Sequence, residues 1–84
     1  MAYRISYKKS VEKDLASLPK AEAHRVLAKI EKELTIRPNN CPPLKGQFAG
    51  LRRLRVGSFR VIFVVQEDDV LVLRIGHRRD VYEH

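Results

Sequence analysis

The chain is poor in cysteine and glycine and short of negative charge: one Cys, four Gly, and ten Asp and Glu against seventeen Lys and Arg. The lone Cys41 permits no intrachain disulfide. With only three scattered histidines it cannot complete a four-ligand zinc site either. Cytoplasm is the default compartment for such a chain. The longest uninterrupted apolar run, residues 61–65, falls far short of the roughly 20 residues that span a bilayer. The opening Met-Ala-Tyr-Arg-Ile lacks the apolar region of a signal peptide. There is no glycine-rich phosphate loop, no Mg²⁺ motif and no repeat. No carboxylate pair suits acid–base work, because Glu67, Asp68 and Asp69 fall together in a turn. A cytoplasmic protein without membrane anchor, metal or cofactor is expected.

Eighty-four residues, 44% hydrophobic and 32% charged, suit one folded domain over 1–84 with a modest core. The net charge of +7 is a strong field for so small a body. Nucleic acid is the commonest partner for it, and an acidic protein segment is the alternative.

Alternation over residues 3–7 predicts a short strand. Val11, Leu15 and Leu18 make one apolar stripe and predict a helix over 8–18. Pro19 stops it and can begin the next. The second helix spans 19–36, with Ala23, Val26, Leu27, Ile30 and Leu34 inward and Glu22, Arg25, Lys29, Lys32 and Glu33 solvated. Arg37 before Pro38 ends it. Residues 39–50 are a Pro-, Gly- and Asn-rich loop. Strands over 51–56, 59–66 and 70–75 follow, joined by the Gly57-Ser58 turn and the acidic turn, as an antiparallel meander. Residues 76–84 form a polar tail that crosses or edges the sheet. The fold class is α+β: an N-terminal strand and helical hairpin packed on a small curved antiparallel sheet, in the order β-α-α-β-β-β.

Two basic clusters stand in the last third, LRRLRVGSFR (51–60) and GHRRDVY (76–82). Arg53 and Arg55 share parity, opposite Leu54 and Val56. The helices are therefore expected to cover Leu54, Val56, Val61, Phe63 and Leu73. The other face is left to arginine, as a polyanion surface requires.

The same segments carry a resemblance. LxRLRVGxFRVIF (51–63), VLRIGHRRDVY (72–82), KSVEKDLASLP (9–19) and PLKG (43–46) resemble the RelE family of bacterial and archaeal toxins over essentially the whole chain. The resemblance implies a helical hairpin on a curved sheet and a ribosome-dependent endoribonuclease that cuts mRNA in the A site. It implies chemistry without a metal: 2′-OH attack giving a 2′,3′-cyclic phosphate. It also implies an acidic, helix-wrapping cognate antitoxin, through which alone the protein would meet promoter DNA. A sister branch, ParE-like, shares the fold but inhibits gyrase without nuclease activity. A degenerate member that binds RNA or its antitoxin but cuts nothing is the remaining alternative.

By resemblance Arg60 contacts the scissile phosphate, a job suited to a planar, permanently charged guanidinium. Arg78 is the second phosphate-stabilising arginine. Arg53 and Arg55 stand where better-known members carry lysine; as arginines they grip charge but cannot serve as a base. His77 is the histidine of the cluster, the residue type suited to proton transfer at physiological pH, and Tyr82 matches the family's C-terminal tyrosine, so either can be the proton donor or acceptor. Lys45, Arg52 and Arg79 are candidates for contacts to RNA or the ribosome. Cys41 has no evident base beside it and is not expected to be a nucleophile.

Overall fold

The computed structural model describes residues 2–77. The elements are β1 Arg4–Tyr7, α1 Ser10–Ala16, α2 Lys20–Leu34, β2 Arg52–Val56, β3 Phe59–Gln66 and β4 Asp69–His77. This is the α+β order read from the sequence. Both helices are shorter than their apolar patterns. The hydroxyl and amide of Ser17 turn back onto the last carbonyls of α1. Pro19, with ψ of 144°, stands just outside α2 rather than in its first turn. At the far end Thr35 Oγ1 donates to Glu31 O, and Arg37 leaves helical space ahead of Pro38.

The strands lie in the order β1-β4-β3-β2. β2, β3 and β4 form the antiparallel meander. β1 differs from expectation by running parallel to β4, which makes the sheet mixed. The chain between these two strands passes through both helices, the long crossover that parallel pairing requires.

The core lies between the helices and one face of the sheet. Val11, Val26, Ile30 and Leu34 pack there against Leu54, Val56, Val61, Phe63, Val70, Val72 and Ile75. Burying each such side chain contributes about 1.5–3 kcal/mol. One strand position departs from simple alternation. Phe63 pairs with Val72 and Ile62 with Arg74, so Leu73 is an extra residue in β4. This bulge reverses the parity of everything after it. Leu73, expected in the core, is the extra residue and is only half-buried, while Val70 and Val72 before it and Ile75 after it face the helices. β4 is also longer than predicted at both ends.

β1 runs out while β4 continues. Lys8 N–H still reaches Val72 O, but beyond that level β4 has lost its parallel neighbour. Asp14 of α1 fills the gap: its Oδ2 accepts the Ile75 N–H at 2.9 Å. The carboxylate thus substitutes for a strand and ties α1 to β4 just past the bulge. Along the opposite edge, the loop after α2 lies against β2. Arg53 N–H donates to Pro42 O, Leu44 N–H to Leu51 O, and the Arg52 guanidinium to Cys41 O at 2.6 Å.

Both the Asp14 bond and the Gly57 turn can be tested by substitution. Asp14→Ala leaves a half-buried N–H without its acceptor and should lower stability by about 1–3 kcal/mol in urea unfolding. Asp14→Asn, which keeps an acceptor oxygen, should lose less; equal losses would show that the hydrogen bond is not the source. Gly57 has φ of 59°, and a Cβ there would collide with Arg25 Nη2. Gly57→Ala should therefore cost at least about 1 kcal/mol in the same measurement.

Candidate nucleic-acid interface

Among the described residues no helix covers the second face of the sheet. The strand register assembles it in rows. Arg53, Ile62 and Arg74 form one row across β2, β3 and β4; Arg55, Arg60 and Gly76 form the next. Neighbouring strands are about 4.8 Å apart, so four guanidinium-bearing positions share a patch two strand spacings wide. Arg55 and Arg60 face each other directly, an arrangement of like charges that costs stability in a sheet. Arginine bears such crowding better than lysine, because its charge is delocalised and weakly hydrated.

The patch is structured. Arg60 is only 8% exposed and is engaged by other groups of the chain. Ile62 is 5% exposed yet stands apart from the helix-side core, as its place between Arg53 and Arg74 requires. Long arginine stems can cover an apolar neighbour in this way while their charged ends stay in water. Arg53 and Arg74 are half-buried and Arg55 is exposed. Toward the other end the same face carries Val64, Leu71 and Ser6. It finishes in an exposed bidentate pair between Arg4 and Asp69, 2.8 and 3.3 Å. The positive charge is thus concentrated at the end near the Gly57-Ser58 turn.

The sequence candidates divide. Arg53, Arg55 and Arg60 are brought together. His77 is not: it pairs with Phe59, whose ring packs against the helix-side core, and the two rings meet edge to face at 6.0 Å. That puts the imidazole position on the opposite side of the sheet from Arg60. Arg52 has the parity of Leu54, and its guanidinium is committed to the Cys41 carbonyl. Lys45 is exposed just ahead of the Gly46–Phe48 turn, outside the paired strand positions that form the arginine rows. Arg78, Arg79 and Tyr82 lie outside the described residues. Burial pushes the Cys41 thiol up; Glu33 pushes the same way and Arg52 opposes it. A protonated thiol is a poor nucleophile.

Arg74 joins the site without having been a candidate from sequence. Its signal there is a single charge inside the apolar run of 70–75: alternation from a core Leu73 puts it with Arg53, whereas alternation from Val70 and Val72 puts it in the core. The bulge places it with Arg53 while keeping Val70 and Val72 buried. Among the described strand positions of this face there is no His, Lys, Cys or Tyr. The patch can bind and neutralise phosphate oxygens through paired hydrogen bonds, but supplies no group that moves a proton near neutral pH. Among the described residues no cluster of His, Cys, Asp and Glu suits a metal ion, and no helix is long and apolar enough to cross a membrane.

Comparison with known proteins agrees with this architecture. The putative toxin RelE1 of Methanocaldococcus jannaschii is 30% identical over 92 aligned positions, covering 100% of this chain and 99% of that protein. The toxin–antitoxin complex RelBE2 of Mycobacterium tuberculosis contains a chain that superposes with a TM-score of 0.87 at 25% identity, over 95% of both chains. The archaeal RelE–RelB complex of Pyrococcus horikoshii matches with a TM-score of 0.69 at 34% identity, over 95% of this chain and 99% of that one. The family model described as the ParE toxin of the type II toxin–antitoxin system parDE matches residues 5–82. The chain therefore belongs to the RelE/ParE family of type II toxin–antitoxin toxins.

Proposed function

We propose that this toxin is a ribosome-dependent endoribonuclease that cuts mRNA in the A site and so stops translation in the cytoplasm. The observation that carries the reading is the convergence of Arg53, Arg55, Arg60 and Arg74 on the helix-free face of the sheet. A phosphodiester entering this patch meets guanidinium groups from three strands. Arg60, held by its surroundings, is the group for the scissile phosphate. Arg53, Arg55 and Arg74 flank it and neutralise charge as it grows on the phosphoryl oxygens. Attack by the neighbouring 2′-OH then expels the 5′-oxygen and leaves a 2′,3′-cyclic phosphate, with no metal required for charge neutralisation. Arg78 adds to the same stabilisation.

The proton transfers need another source. His77 on its opposite face is the poorer candidate, which shifts the role toward Tyr82 or toward a group of the ribosome itself. Dependence on the ribosome is then a chemical matter: an arginine surface without a base is completed by its substrate complex. Lys45 and Arg79 would contact rRNA. Solved neighbours include toxin–antitoxin complexes, which supports a cognate antitoxin for this chain. The net charge of +7 favours an acidic one.

A second reading is favoured by the ParE description of the matching family model: a gyrase inhibitor without nuclease activity. Primer-extension mapping in a purified translation system separates the two. Wild type should cut within the A-site codon only when ribosomes are present. Arg60→Ala should lower the rate about 10²–10³-fold, as loss of a key oxyanion donor does. Arg60→Lys, which keeps charge but loses the fork, should recover only part. Arg74→Ala should lose at least about tenfold, or roughly 1.4 kcal/mol. Full cleavage by a folded Arg60→Ala protein would refute the assignment. Intact mRNA together with blocked supercoiling would establish gyrase inhibition instead.

A further inference from the structure

A second basic site lies around the edge of the sheet. Arg25, Lys29 and Lys32 of α2 face Arg55 across a shallow groove of about 450 Å³ floored by Val56 and Gly57. Spacings of four and three residues put the three helix cations on one face of α2. They read in sequence as an ordinary solvated side; the fold turns them toward β2. The groove is partly built. The end of Arg25 lies against Gly57, and its Nη2 is 3.1 Å from Glu22 Oε2. That carboxylate oxygen is buried and accepts no well-aligned hydrogen bond, so the contact places Arg25 by charge without using up its donors. Lys29, Lys32 and Arg55 make no ion pair among the described residues. Four cations thus share one groove with a single acidic neighbour in contact among the described residues.

We propose that this groove holds the phosphate backbone of RNA, as a sequence-independent contact surface continuous with the arginine face. The inference rests on RNA being the substrate of that face. Continuity comes from Arg55, which stands beside Arg60 in the sheet and also walls the groove. β2 is the last strand of the sheet and the loop after α2 covers its start at Arg52 and Arg53, so the path for a polyanion from the arginine rows to α2 rounds the strand at its Arg55 end. The chemistry favours nucleic acid over a protein partner. A stable protein interface needs buried apolar anchors, whereas nucleic-acid interfaces are polar and strongly positive. The groove offers no exposed anchor: the one large apolar side chain exposed among the described residues is Ile36, which does not line it. Contacts of this kind position RNA without reading its bases.

The test is fluorescence anisotropy with labelled poly(U) over a range of salt concentrations. The proteins are the wild type, an Arg25→Gln/Lys29→Gln/Lys32→Gln triple variant, Lys32→Glu and Arg53→Gln. The triple variant should bind at least about tenfold more weakly at low salt. Its log–log salt slope should fall by about 2, since each phosphate neutralised on a single strand adds about 0.7 to that slope. Lys32→Glu should weaken binding on its own, which keeps the test valid should the triple variant fold poorly. Wild-type affinity and slope in folded variants would overturn the groove, as would weaker binding with an unchanged slope. If Arg53→Gln alone weakened binding, the groove would fall and the sheet-face reading would stand. Failure of wild type to bind poly(U) would also overturn the groove, while cleavage on the ribosome, read by primer extension, would judge the enzyme independently.

Discussion

The extra residue in β4 governs how both faces of this molecule are used. β4 has β1 on one side and β3 on the other, so its side chains enter both the core and the arginine surface. Without the bulge, strict alternation from Val70 and Val72 would put Arg74 among Val11, Ile30 and Phe63. A buried guanidinium there would need a partner that those apolar side chains do not offer. The added residue lets Val72 and Ile75 both face the helices and moves Arg74 to the other side. Core and site are thus solved by the same local irregularity.

The bulge and the end of β1 leave a length of β4 with backbone donors to satisfy. Asp14 meets that need with a side chain rather than another strand. α1 is thereby fixed to the sheet at the level where the basic rows lie on the opposite face. On the other flank, the loop after α2 closes the start of β2 through backbone bonds and Arg52. The arginine rows consequently stand on a sheet restrained at both edges, a requirement for groups that must be in place before charge develops on a phosphate.

The charge distribution is unfavourable for the isolated chain. Arg55 opposes Arg60, and Arg25, Lys29 and Lys32 converge nearby, with little acid interspersed. Repulsion of this kind is tolerated where a polyanion or an acidic partner relieves it. Solved relatives include toxin–antitoxin complexes, which supports a cognate antitoxin as a partner of this chain. An antitoxin that covered these cations would occupy the surface proposed for RNA, and competition between the two would be a consequence of electrostatics alone.

Much of the architecture was legible in the sequence because it follows from local rules. The stripe Val26, Ile30, Leu34 specifies a buried helix face, Arg37-Pro38 its end, and Gly57-Ser58 a turn between two alternating strands. The shared parity of Arg53 and Arg55 already placed them together, opposite Leu54 and Val56. What alternation could not supply was any event that breaks it. The bulge at Leu73 depends on how β4 fits β3 and the helices at once. It lets Val70 and Val72 before it and Ile75 after it all face the core, with Arg74 among the arginines and His77 beside Phe59. The parallel placement of β1, the capping of Ile75 by Asp14 and the meeting of α2 with Arg55 are likewise contacts between distant segments. Periodicity within a segment records which of its residues avoid water; which distant residues they then meet is set by packing the segments together.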